Sequence, residues 1–139
     1  MDTPSQFPGA RDFPAGTRTA ADAAAAIGCD VAAIVKSLVF ARAADDGIVL
    51  VLCSGSHTVD TGRLGLVKAD ADRVRAATGF AIGGVPPWGW RQPPSAVLID
   101  RDLLELPELW AAAGTPQRVF PLTPDDLLAR TGGGVVAIG

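Results

Sequence analysis

Val35-Lys36-Ser37-Leu38-Val39-Phe40-Ala41, followed after Ala44-Asp45-Asp46-Gly47 by Ile48-Val49-Leu50-Val51-Leu52-Cys53, decides the fold. The second run is apolar at every position, so it predicts a central strand covered on both faces. The first run reads as its neighbour. Two aspartates and a glycine between them predict a tight turn, with Gly47 able to take the positive φ that such turns need. The pair is expected as a hairpin.

Outward from that hairpin the punctuation is regular. Thr19-Ala20-Ala21-Asp22 predicts a helix start, with threonine as cap and an acid in the first turn, and Gly28 closes the helix. Asp60 and Asp70 each stand at a helix start, and the helix near 71–78 stops at Gly79. Residues 80–82 read as a short strand leading into Gly83-Gly84-Val85-Pro86-Pro87-Trp88-Gly89. Residues 96–100 predict another strand. Residues 109–113 and 118–122 flank Gly114-Thr115-Pro116 and suggest a second hairpin, although a helical first arm stays open. Thr123-Pro124-Asp125-Asp126 combines a cap, a proline at the first helical position and an acid at the third. That helix should end at Gly132, and 135–138 should form a last strand. Short strands mixed with short helices give an α+β fold: a single domain with a mixed, mostly antiparallel β-sheet flanked by short helices.

The chain has 139 residues, of which 48% are hydrophobic, so one domain can bury a core without disulfides or metals. No stretch approaches a membrane span, and the polar start holds no signal core, which predicts a cytoplasmic protein away from membranes. The two cysteines, Cys29 and Cys53, have no second cysteine or histidine at metal-ligand spacing and read as packing residues. A net charge of −3 argues against broad nonspecific binding to nucleic acid. Arg63, Lys68, Arg73 and Arg75 fall in one segment, which reads equally as a solvated face balanced by Asp70 and Asp72 or as a tRNA-contacting patch.

Three features carry chemistry. Alternation puts Lys36 on one face with Leu38 and Phe40; an amine there needs a pocket or partner, or else snorkels from the strand end. In the loop 83–89, two glycines let backbone N–H groups approach a ligand, and Trp88 and Trp90 could stack on a base. The same loop reads alternatively as a rigid turn with core tryptophans. Ser54-Gly55-Ser56-His57 follows the central strand and holds the only histidine. His57 is structural, exposed or catalytic on this reading, and Ser54 and Ser56 could contact substrate. No nucleophile elbow supports a serine triad.

The order of these segments is specific. Thr17-Arg18-Thr19-Ala20-Ala21-Asp22-Ala23-Ala24, Ile34-Val35-Lys36-Ser37-Leu38-Val39-Phe40, Ser54-Gly55-Ser56-His57-Thr58-Val59-Asp60, Thr78-Gly79-Phe80-Ala81-Ile82-Gly83-Gly84-Val85-Pro86-Pro87-Trp88-Gly89, Val97-Leu98-Ile99-Asp100, Ala113-Gly114-Thr115-Pro116 and Thr123-Pro124-Asp125-Asp126-Leu127-Leu128 together resemble the YbaK/ProX family. That family is related to the editing domain inserted in bacterial prolyl-tRNA synthetases. The resemblance implies a domain over 16–139 behind an N-terminal segment, 1–15, free to be flexible.

It also implies a hydrolase that cuts the ester between an amino acid and tRNA, with no metal or other cofactor. By the same resemblance Lys36, Gly83 and Gly84 are the catalytic candidates. Ser37, Leu38, Ser54, Ser56, His57, Val85, Pro87 and Trp88 are the substrate-binding ones. Ser37 departs from the asparagine of the alanine-clearing branch, and Pro86 from a common small polar residue. The expected partner is an aminoacyl-tRNA, tRNA(Pro) first, with help from a synthetase or elongation factor. A noncatalytic amino-acid or nucleotide binding module, or a hydrolase of another activated amino ester, are the competing readings.

Overall fold

The computed structural model describes residues 7–13 and 19–138. Thr17 and Arg18 of the first family motif, and residues 1–6 and 14–15 of the N-terminal segment, lie outside them.

Strand β3 (Ile48–Ser54) is central to an eight-stranded sheet because both its faces find apolar partners. Leu50 and Leu52 pack with Ile99, Leu103, Phe120 and Leu127 on one side. Val49, Val51 and Cys53 meet Leu38, Phe40, Leu66 and Ile138 on the other. β2 (Ile34–Arg42) runs antiparallel to β3, with Leu38 opposite Val51. Beyond β3, β5 (Ala96–Asp100) and then β8 (Gly134–Val136) add in parallel.

On the other flank, β6 (Leu109–Ala112) pairs parallel to β2 and forms a hairpin with β7 (Arg118–Leu122). β1 (Arg11–Asp12) borders β7, and β4 (Leu66–Lys68) pairs antiparallel with the far end of β2. The sheet is thus mixed and mostly antiparallel, with the first arm of the second hairpin a strand.

The helices start where the sequence places them, and α1, α3 and α4 also stop at the glycines it marks. α1 (Ala20–Ile27), α2 (Thr61–Leu64), α3 (Ala71–Thr78) and α4 (Pro124–Thr131) are capped by Thr19, Asp60, Asp70 and Thr123. Each cap accepts from a backbone N–H three residues on, worth about 1 kcal/mol apiece. Each helix ends at a glycine with positive φ. α1 sets Ala23 and Ala24 against Ile34, Trp110 and Val119. Its small side chains let it lie close to the sheet.

Four expectations change. In the first hairpin turn, Asp46 takes the positive φ, 64°, not Gly47. The neighbouring Asp45 carboxylate holds that turn by accepting from Gly47 N–H and from Arg42, and aspartate tolerates the left-handed region better than most residues. Residues 80–82 are not a strand. The Thr78 hydroxyl takes Phe80 N–H at 2.9 Å and Ala81 carbonyl takes Gly84 N–H at 2.9 Å, so the chain turns instead of extending.

The last strand is 134–136 rather than 135–138, because the carbonyls of Ala137 and Ile138 turn to the Arg63 guanidinium, at 2.6 and 3.2 Å. Within the N-terminal segment, Arg11 and Asp12 are registered on β7, and the Phe7 ring lies 4.9 Å from that of Phe120, so 7–13 are part of the packed fold.

Both cysteines are free. Burial pushes the Cys53 thiol up to about 11; the Lys36 ammonium opposes the rise and the Asp100 charge adds to it. The Cys29 thiol is raised as well, mainly by burial. At neutral pH Cys53 is therefore a protonated core residue. Alkylation at pH 8 followed by mass spectrometry is expected to label half-buried Cys29 well before Cys53, whose labelling should await unfolding; equal rates would contradict this packing. Gly55 is fixed by space: a Cβ there would run into the Val31 carbonyl oxygen and lie 2.9 Å from Ala20 Cβ. Gly55→Ala is expected to destabilise the fold by about 1–3 kcal/mol, read as a lowered denaturation midpoint.

Candidate functional site

β2 has β3 along one whole edge, so β6 and β4 must share the other. β6 takes Ile34 and Val35, and β4 takes Phe40, Ala41 and Arg42. The stretch 36–39 is left without a registered partner on that side. The bonds Gly55 N–H to Ile34 carbonyl and Arg42 N–H to Gly47 carbonyl fix which residues bond to the β3 side: the even-numbered ones. Alternation then turns the N–H and carbonyl of Ser37 toward the gap.

A cavity of about 540 Å³ opens at this gap. Lys36, Ser37, Leu38, Gly83 and Val85 all line it, as do Lys68, Ala111 and Pro116. Among the candidate residues it thus joins the β2 group to the glycine loop. Gly84, Ser54, Ser56, His57, Pro87 and Trp88 stand outside its lining.

Pro87 and Trp88 border a separate cavity of about 260 Å³. Trp88 packs edge-on to Phe120 at 5.4 Å and carries the Arg130 guanidinium over its ring, so it belongs to the core. Trp90 donates its indole N–H to the Pro86 carbonyl at 2.8 Å. These contacts favour the rigid-turn reading for both tryptophans over base stacking. Ser54 is also committed: its hydroxyl bonds the Ala32 carbonyl at 2.8 Å and the Ser56 hydroxyl at 3.0 Å.

The two glycines of the loop have different reasons to be bare. Gly83 has φ 92°, as the third position of the turn closed by Ala81 and Gly84 requires. Gly84 lies so close to the second hairpin that a Cβ would sit 2.8 Å from Thr115 Cα. Its N–H is spent on the Ala81 carbonyl, so Gly84 is not an available donor. The Gly83 N–H has no acceptor among the described residues. Ser37 Oγ is likewise a buried side-chain atom without a partner among the described residues.

Lys36 does not snorkel to water. Its ammonium donates to the His57 carbonyl oxygen at 2.5 Å. His57 is in turn held by two residues that sequence reading passed over. Asp100, 1% exposed at the end of β5, lies 2.8 Å from His57 Nδ1, and Asp102 lies 3.3 Å from Nε2. Asp100 also accepts from the N–H groups of Ser54 and Asp102, at 3.0 and 3.1 Å. A buried carboxylate with three donors is well satisfied, and it fixes the loop that offers Lys36 its carbonyl.

His57, Asp100 and Asp102 are the group whose ligand atoms, within 4.8 Å of one another, could hold a metal among the described residues. Nδ1 is hydrogen-bonded to Asp100 and Nε2 lies within ion-pair distance of Asp102, which is the arrangement of a clamp. The sequence signal for Asp100 was its place after a buried apolar strand, where an acid needs a partner.

The basic segment divides. Arg73 pairs with Asp46 at 2.7 Å, and Arg63 is bound to the C-terminal carbonyls. Lys68 stays at the cavity. Among the described residues no helix is long and apolar enough to cross a membrane.

Comparison with known proteins agrees with this architecture. The family model of the aminoacyl-tRNA editing domain matches residues 14–129. The uncharacterized protein YwhH of Bacillus subtilis (strain 168) is 30% identical over 122 residues, which is 84% of this chain and 76% of that protein. A crystal structure of a proposed trans-editing enzyme for prolyl tRNA synthetase is similar with a TM-score of 0.84 and 47% identity, over 93% of this chain and 84% of that one. A structure from computational epitope grafting onto scaffold proteins is similar at 0.86 and 44%, over 93% and 85%. The hypothetical protein APE2540 follows at 0.80 and 28%, over 93% and 89%. With most of its length matched by the family model and 93% of it by that crystal structure, the chain belongs to the aminoacyl-tRNA editing domain family, the YbaK kind of fold.

Proposed function

We propose that this protein is a trans-acting aminoacyl-tRNA deacylase that hydrolyses the ester of mischarged tRNA carrying a small amino acid, with tRNA(Pro) as first candidate. The observation that carries the reading is the single cavity shared by Lys36, the open edge at Ser37 and the Gly83 loop, in a chain of this family. The likeness to a proposed trans-editing enzyme for prolyl tRNA synthetase supports the choice of tRNA.

Ester hydrolysis needs a placed water and donors for the oxyanion that develops on the carbonyl. Backbone N–H groups at Ser37 and Gly83, with the Lys36 ammonium, are the donors on offer. The water's oxygen bonds to the carbonyl carbon, the ester C–O bond breaks, and the ribose oxygen leaves with a proton. The amino ester is already activated, so positioning and electrostatics suffice without a covalent intermediate. Cys53 is a protonated core thiol, and the His57 ring is engaged by two carboxylates, so neither acts as nucleophile. Walls of Leu38, Val85 and Ala111 reject large side chains by clash, which discriminates better than the attraction of one methylene, about 1–3 kcal/mol. The net charge of −3 gives weak tRNA affinity alone, so a synthetase or elongation factor is a fitting partner, and the work is cytoplasmic.

The test is deacylation of a panel of charged tRNAs. Wild-type protein is expected to release a small amino acid from a mischarged tRNA, and Lys36→Ala to lose on the order of a hundredfold in rate. Tight amino-acid binding without turnover on any tRNA would establish the binding-module reading instead. Asp100→Ala is expected to lower kcat on the order of tenfold with a smaller effect on KM, because Lys36 loses its fixed carbonyl. A variant of wild-type kcat would remove the Asp100–His57 clamp from the mechanism.

A further inference from the structure

We propose that Lys68 is a phosphate-binding residue at the mouth of the cavity, taking a backbone phosphate of the polynucleotide whose terminal nucleoside ester lies inside. The inference rests on the deacylase reading and names a contact for its substrate.

Three observations carry it. Among the described residues, Lys36 and Lys68 are the only ionisable side chains in the cavity lining, and no carboxylate is among them. The whole chain carries −3, so this local excess of positive charge runs against its composition. The third observation is that Lys68 is exposed at the end of β4, where register sets it beside Phe40, and its amine has no acceptor among the described residues. Its nearest acid in sequence, Asp70, is turned to its own helix, accepting Arg73 N–H at 2.8 Å. Two other cations of the segment are employed, Arg63 on the Ala137 and Ile138 carbonyls and Arg73 on Asp46, and Arg75 stands outside the cavity lining.

The charge also fits one part of the substrate and not another. The free amino group of an aminoacyl ester is cationic and would call for a carboxylate. A cavity whose described lining holds two amines and no acid is matched to an anion. The inner amine, Lys36, is tied to the His57 carbonyl, whereas Lys68 at the rim has no acceptor among the described residues. Lysine acts on such a phosphate as a mobile point charge.

The test compares two substrates: an aminoacyl-tRNA and the same amino acid esterified to adenosine, which lacks phosphate. Lys68→Ala is expected to raise KM for the tRNA far more than for the adenosine ester. It should also flatten the dependence of log(kcat/KM) on log salt by about 0.7, the share of one single-strand phosphate. Lys68→Arg should keep the wild-type slope. Equal effects on both substrates, or an unchanged slope, would overturn the proposal.

Binding of a short single-stranded RNA ending in adenosine, measured at two salt concentrations, needs no turnover. If wild-type protein hydrolyses neither ester, the deacylase reading falls, and this measurement still decides Lys68: weaker binding by Lys68→Ala at low salt supports the phosphate contact, and equal binding refutes it.

Discussion

Strand β2 has two edges and three partners. β3 occupies one edge throughout, so β6 and β4 divide the other, and neither covers residues 36–39. A sheet interior normally spends its backbone groups on neighbouring strands. Here one short stretch is kept back, with Ser37 facing the opening and Leu38 and Val39 forming its wall. Every later feature of the site depends on that division. The glycine loop has something to face, and Lys36 borders a cavity, because β6 stops where it does; the gap stays open at its far end because β4 ends at Lys68, opposite Phe40.

The Lys36 amine is the second constraint. A lysine beside buried strands needs acceptors. It receives one from the His57 carbonyl, and the loop bearing that carbonyl is held by a buried carboxylate at the end of β5. The chain of contacts runs from one strand of the sheet across β3 to another. Stability and chemistry share it: the bonds that satisfy Asp100 also decide where the ammonium rests.

Local chemistry made most of the fold legible. Four capping side chains and four closing glycines mark the helix ends, and the apolar run of β3 marks the centre of the sheet. What the residues alone did not reveal are contacts between distant segments. Nothing near residues 137 and 138 signals that Arg63 will take their carbonyls, and nothing near Phe80 signals that Thr78 will fold the chain back. For the site, the grouping of residues 36–38 with Gly83 and Val85 was legible through the order of motifs. The engagement of the Gly84 N–H, the burial of Trp88 and the Asp100–His57 clamp depend on three-dimensional neighbours that spacing does not encode.

The approach of Gly84 to Thr115 ties the loop to the turn of the second hairpin, with no room for even one methyl group between the two backbones. Loop and turn therefore form one rigid jaw opposite β2, and its seating is set by the β6–β7 connection, far away in sequence. Lengthening that connection by a residue or two would shift the jaw as a unit. Relatives with different spans there would differ in how wide the entrance stands, even with every residue of the inner wall unchanged.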